Sequence, residues 1–173
     1  MEEPYLSILG SLLGVLVGAA AVYYYGLRQD ATQRRFAYLE RQLAEFYAPL
    51  AGLRKQIRAK SELRKKVFDA TAVAADQSTA IIDYHNKQFL EELIPKYREM
   101  LALFTERYHL ADAETREFYP LLLEYVEVWN MWLAESISAE VVKAIDHREE
   151  NVKPFYEHLE RKMQQLQDEI ARG

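Results

Sequence analysis

Hydrophobic residues fall along the chain in two patterns, one unbroken run and then four stripes of helical period. From Pro4 to Leu27 no residue is charged. The run YLSILGSLLGVLVGAAAVYYYGL has the length, about 20 residues, that carries a helix across a hydrocarbon core roughly 30 Å thick. Tyr5 at one end and Tyr23, Tyr24 and Tyr25 at the other set aromatic rings at both headgroup levels. The pattern predicts a transmembrane helix over about Tyr5 to Tyr25 and an anchor domain of residues 1–27. A cleaved secretory signal ending near Ala19, Ala20 and Ala21 is the competing reading. Glu2 and Glu3 stand where such a leader carries basic residues, and the run is longer than its apolar region. Arg28, Arg34, Arg35 and Arg41 follow the span and no Lys or Arg precedes it, so the positive-inside rule places the body, residues 28–173, in the cytoplasm and the N-terminus outside.

Gly10, Gly14 and Gly18 recur every four residues and share a helix face where another helix can approach closely. That face predicts helix packing in the membrane, with a second copy or another membrane protein.

Beyond the run, Phe36, Leu39, Leu43, Phe46, Leu50, Leu53 and Ile57 alternate steps of three and four, the seam of a long helix leaving the membrane. Pro49 lies inside it and predicts a kink near Ala48, because proline cannot bond the carbonyl of Glu45. A break is expected at Asp76 to Thr79. A second helix, about Ala80 to Tyr108, carries Phe89, Leu93, Tyr97, Met100 and Phe104 on one side, with Pro95 as a bend. A third is capped by Asp112 and runs to about Glu135 through Phe118, Leu122, Tyr125, Val126, Trp129 and Trp132, with Pro120 internal. A fourth opens at Ser136 or Ser138 and shows Val152, Tyr156, Leu159, Met163, Leu166 and Ile170, interrupted early by Pro154. The expected fold is all-α, an N-terminal transmembrane helix followed by a cytoplasmic antiparallel bundle of about four helices, several kinked at proline.

Charge changes this picture because it is segregated. The formal net charge is only -5, yet Arg28 to Lys66 holds eleven basic residues against four acidic, and Leu110 to Glu150 ten acidic against three basic. One reading is internal complementarity between the two segments. The other is a docking patch of Arg54, Lys55, Arg58, Lys60, Arg64, Lys65 and Lys66. A straight helix, rising ~1.5 Å per residue, sets Arg54 about 40 Å beyond the span, further than lipid attraction reaches. A protein partner is therefore favoured over lipid, and the overall acidity argues against nucleic acid.

Candidate chemistry is sparse. The absence of cysteine closes thiolate and Cys-based metal chemistry. One ExxH, Glu106 with His109, occurs, where a di-iron carboxylate bundle needs two. His85, His147 and His158 read as surface residues beside acidic neighbours. No phosphate-binding loop or nucleophile motif is present. No catalytic, cofactor or metal site is expected.

The residues Gln42, Leu43, Glu45, Phe46, Tyr47, Pro49 and Leu50 form a QLxEFYxPL-like stretch. It resembles one found after the anchor in a loose group of uncharacterised bacterial single-pass, membrane-anchored helical proteins. The resemblance implies a bacterial inner-membrane setting and lends no activity. The expected function is non-enzymatic: an accessory or scaffold subunit of a membrane complex, with no small-molecule substrate evident. A membrane-perturbing, holin-like or defence effector assembling through the glycine face is the alternative, and a cryptic metal protein at Glu106 and His109 the third.

Overall fold

The computed structural model describes the backbone of residues 3–73, 79–145 and 147–172, and side chains over 18–19, 22–71, 83–84, 86–145 and 147–172. Among the described residues the chain is helical and has no strand. Helix α1 (Glu3–Gln42) passes through a π-helical turn, Leu43–Tyr47, into α2 (Ala48–Val73) without leaving helical backbone. After α3 (Thr79–Gln88), a second π turn, Phe89–Leu93, leads into α4 (Ile94–Glu106). Short α5 (Ala113–Arg116) precedes α6 (Tyr119–Leu133), and short α7 (Ala139–Ala144) precedes α8 (Lys153–Ala171).

The prolines explain where these elements widen or restart, and at Pro120 and Pro154 they correct the expectation of a proline inside a helix. Pro49 and Pro95 each follow a π turn by two residues. In both, the residue before proline bonds five positions back, Ala48 N–H to Leu43 O and Ile94 N–H to Phe89 O. The wider turn takes up the missing proline N–H and the crowding of its ring against the carbonyl four residues earlier. Pro120 and Pro154 are not internal: each sits in the first turn of its helix, α6 and α8, where no intrahelical donor is needed. The expected third helix is accordingly two, α5 and α6. The expected fourth ends at Ala144 and restarts at Lys153. Two predicted caps form, with Asp112 accepting from Thr115 N–H at 2.8 Å and Ser138 from Val141 N–H at 3.4 Å. The break expected at residues 76–79 lies largely outside the described residues, as does the side chain of His85.

Paired residues give the direction of each helix. Glu45 meets Arg107 and Phe46 meets Phe104, while Lys60 meets Glu92 and Arg64 meets Phe89, so α2 and α4 are antiparallel. Thr105 with Tyr119 and Arg98 with Asn130 make α6 antiparallel to α4. Arg35 with Glu169 and Arg54 with Tyr156 make α8 antiparallel to α1 and α2. The core is the seam read from sequence: Phe46, Leu50 and Ile57 are fully buried, beside Met100, Phe104, Leu122, Phe155 and Leu159. Phe104 is its hub, with ring centroids 5.2 Å from Phe46, 5.3 Å from Tyr119 and 5.8 Å from Phe155. An aromatic cluster of this kind adds edge and stacking contacts to the area it buries.

Among the described residues no helix is long and apolar enough to cross a membrane. The side chains of most of the expected span, Tyr5 to Val17, Ala20 and Ala21, lie outside those described, so the transmembrane reading rests on the sequence alone. Helix α1 itself runs through the expected boundary at residue 27.

Candidate functional site

The richest concentration of polar chemistry is interior and joins the first π turn, α5 and α8. Tyr47 ends the π turn on the side facing α5, and its hydroxyl lies 2.9 Å from Thr115 Oγ1. Thr115 Oγ1 also lies 2.7 Å from Asp112 Oδ1 and 2.7 Å from His158 Nε2. Asp112 Oδ2 meets Lys162 Nζ at 2.5 Å, and Glu114 Oε1 stands 3.4 Å from His158 Nδ1. Tyr47 and Thr115 are completely buried and His158 is 2% exposed. Asp112 holds its place as the N-cap of α5, and His158 and Lys162 share a face of α8 four residues apart.

Glu114, His158 and Thr115 stand in the order of an acid, a base and a hydroxyl nucleophile, so the hydrogen positions decide what the arrangement can do. A hydroxyl donates one hydrogen bond and accepts two. The Asp112 carboxylate only accepts, so Thr115 O–H donates to it. Tyr47 O–H and His158 Nε2–H must then donate to Thr115, while Asp112 N–H donates to Tyr47 Oη at 3.3 Å. All three capacities of the Thr115 hydroxyl are used. His158 gives a proton toward this oxygen and cannot take one from it, the reverse of nucleophile activation. With Thr115 sealed from solvent as well, the cluster fastens elements together and presents no attacking atom.

The electrostatics agree with that role. Burial pushes the Asp112 carboxyl upward, but bonds from Lys162 and from the Thr115 side chain and backbone outweigh it and hold the group below its ordinary value. Burial lowers Lys162, and the bond to Asp112 outweighs it, leaving the ammonium raised. Burial raises the Tyr47 phenol, against the lowering effect of its hydrogen bonds.

The predicted basic patch does not form one surface. At ~100° per residue its seven members wrap around α2. Arg54 is bound to Glu149 at 2.7 Å, its guanidinium 3.9 Å from the Tyr156 ring centroid. Lys60 pairs with Glu92, and Arg58 with Glu62 within α2. Arg64 lies over the Phe89 ring at 5.1 Å. Lys55, Lys65 and Lys66 are exposed and have no carboxylate partner among the described residues. Arg54 is the one patch member that pairs with the acidic segment 110–150 among those residues, so internal complementarity accounts for little of the segregated charge.

Arg64 and Lys65, with Ser61, Phe68, Phe89, Asn86, Tyr97, Tyr125 and Glu149, line a cleft of about 430 Å³ between α2, the second π turn and α6. A neighbouring groove, lined by Arg54, Arg58, Lys65 and Lys153 together with Glu62, Glu149 and Glu150, shares Ser61, Lys65 and Glu149 with it. Tyr97, Tyr125 and Tyr156 are buried beside this cleft, and burial raises all three phenols.

His158 and His147 are corrected from surface residues. His147 is half-buried and stacks on Tyr125 at 4.6 Å, and burial holds its imidazole below the usual range. Glu106 ends α4 and His109 lies in the 3-10 turn Tyr108–Leu110, both exposed. No three His, Asp or Glu side chains gather as a ligand set among the described residues. Gly10 and Gly14 lie outside the described side chains, and a Cβ at Gly18 would meet nothing within 4 Å. The interior cluster is not visible in the sequence because its members sit on three separate stretches, Tyr47, Asp112–Thr115 and His158–Lys162. The signals for it were a tyrosine just off the seam at Tyr47 and a capping Asp112 followed by Thr115. Compared with protein families, curated proteins and solved structures, the chain matches none.

Proposed function

We propose that this chain is a non-enzymatic, single-pass membrane protein whose cytoplasmic helical bundle docks another protein, as an accessory or scaffold subunit of a membrane complex. The observation that carries the reading is continuity. The uncharged stretch Pro4 to Leu27 lies at the start of helical backbone that runs from residue 3 to residue 73 and supplies the central face of the bundle. A tether and a core built from one uninterrupted helix fix the bundle relative to whatever the first helix enters. The bacterial inner membrane, with the N-terminus outside, fits the uncharged run and the arginines that follow it.

Two further features support docking. The polar cluster around Thr115 is closed and oriented against nucleophile activation. On α2, Lys55 and Lys66 are exposed with no carboxylate within ion-pair distance among the described residues, and Arg58 bonds Glu62 of its own helix in an exposed pair of little energetic consequence. These cations suit an acidic protein surface. Copurification from native membranes in mild detergent tests the reading: a stoichiometric protein partner is expected. A chain recovered alone at near-native expression, or one released from membranes by alkaline carbonate, overturns it.

A further inference from the structure

The cleft between α2, the second π turn and α6 has the features of a small-ligand site. We propose that it binds a planar aromatic anion, an aryl carboxylate or aryl phosphate. Its volume, about 430 Å³, falls in the range of small-molecule sites, about 300–1,000 Å³. Its floor is aromatic and held in place by ring packing. Phe89 lies edge-on to Trp129 at 4.7 Å, Tyr97 is 5.0 Å from Tyr125, and Tyr125 stacks on His147. Phe89 is partly exposed whereas Tyr97 and Tyr125 are 2% and 6% exposed, so what the floor offers a flat ligand is chiefly Phe89 and the planar Arg64 guanidinium over it.

Charge selects the other end of the ligand. Arg64 and Lys65 line the cleft, and neither has a carboxylate partner among the described residues. Glu149, the one acid of the lining among the described residues, is held by Arg54 at 2.7 Å, so its charge is already met. The mouth therefore favours an anion, and Ser61 and Asn86 add neutral hydrogen-bonding groups. Arg64, lying over Phe89, leaves the guanidinium edge for a carboxylate or phosphate. A polyanion such as nucleic acid suits the site poorly, because Glu62, Glu149 and Glu150 interrupt the cations of the adjoining groove. This site is separate from the outward lysines Lys55 and Lys66, so its test does not depend on protein docking.

Isothermal titration of the full chain in mild detergent, with empty micelles as reference, uses 1-naphthyl phosphate, 1-naphthol and inorganic phosphate as probes. Saturable binding of 1-naphthyl phosphate is expected, with the other two at least about tenfold weaker, the loss of one charge-assisted bond or of the stacking surface. The Arg64→Ala/Lys65→Ala variant and the cleft-filling Ser61→Trp variant should each lose about tenfold or more, and Lys55→Ala/Lys66→Ala none. The proposal is overturned by absence of saturation up to millimolar probe, by equal affinity for inorganic phosphate, or by affinity unchanged in both cleft variants.

Discussion

Replacing Thr115 by valine removes one oxygen and keeps the side-chain shape, which makes it the sharpest probe of the interior cluster. In the native arrangement that oxygen accepts from Tyr47 O–H and from His158 Nε2–H, and its own proton goes to Asp112. Valine leaves two donors without an acceptor in places where water does not reach, since Tyr47 is fully buried and His158 is 2% exposed. Each orphaned donor costs ~1–3 kcal/mol, so the expected loss is about 3 kcal/mol. Asp112 retains Lys162 and the Thr115 N–H, which keeps its share small. Thr115→Ser preserves the hydroxyl and loses only a methyl group, worth about 1 kcal/mol. At ~2–4 °C per kcal/mol for a domain of this size, Thr115→Val should lower Tm by about 6–12 °C and Thr115→Ser by about 2–4 °C. Thermal unfolding of the full chain in detergent, followed by near-UV circular dichroism, reads both. Equal Tm values for the two variants would refute the assigned hydrogen-bond directions.

Other outcomes follow from the same packing. Phe104→Ala empties the aromatic hub and should cost ~3–5 kcal/mol, more than any exposed aromatic such as Tyr84→Ala, as denaturant midpoints will show. Glu135 holds φ 54° at the end of α6, where Ser136 N–H bonds Met131 O and Glu135 N–H bonds Trp132 O. Glycine adopts that left-handed position without the side-chain penalty, so Glu135→Gly should raise stability by ~0.5–1 kcal/mol. The pH dependence has a definite sign. Tyr47, Tyr97, Tyr125 and Tyr156 are raised in the folded state by burial. Their contribution is full below the unfolded phenol value, about 10, and is lost as pH rises through the folded values. Absorbance at 295 nm should show these phenols ionising only as the fold is lost. Asp112, lowered in the folded state by Lys162 and Thr115, contributes above about pH 4 and loses that contribution as pH falls through its folded value. Asp112→Asn should flatten the acid limb of stability against pH.

Periodicity made much of the fold legible. The seam from Leu39 through Phe46, Leu50, Leu53 and Ile57 is buried as its spacing of three and four residues implies, because a single apolar face has one way to leave water. The caps at Asp112 and Ser138 were equally readable, being local in sequence. Pro49 and Pro95 follow helical turns that are widened where the pattern places them, whereas Pro120 and Pro154, expected inside helices, open them. A helical pattern extends across a proline whether the helix starts there, as at Pro120 and Pro154, or widens before it, as at Pro49 and Pro95. Spacing does not separate those outcomes. The Thr115 cluster was not legible because Tyr47, Asp112, Thr115 and His158 are brought together by the antiparallel packing of α1–α2 with α8. Sequence neighbours misled in the same way: His158 beside Glu157 looked exposed, although its heptad-offset position turns it inward next to Leu159. The basic run was visible as composition, but its division among ion pairs, the cleft and solvent depends on which helices flank α2.

In the proposed function a membrane-tethered bundle docks a protein through α2. Affinity purification of the full chain from native membranes, beside the variant Lys55→Ala/Arg58→Ala/Lys66→Ala, tests it most directly. A partner should be recovered in stoichiometric amount with the wild type and depleted at least about tenfold with the variant, both proteins remaining in the membrane fraction. Recovery of the wild type alone, or of the same partner in equal amount with both, would contradict it.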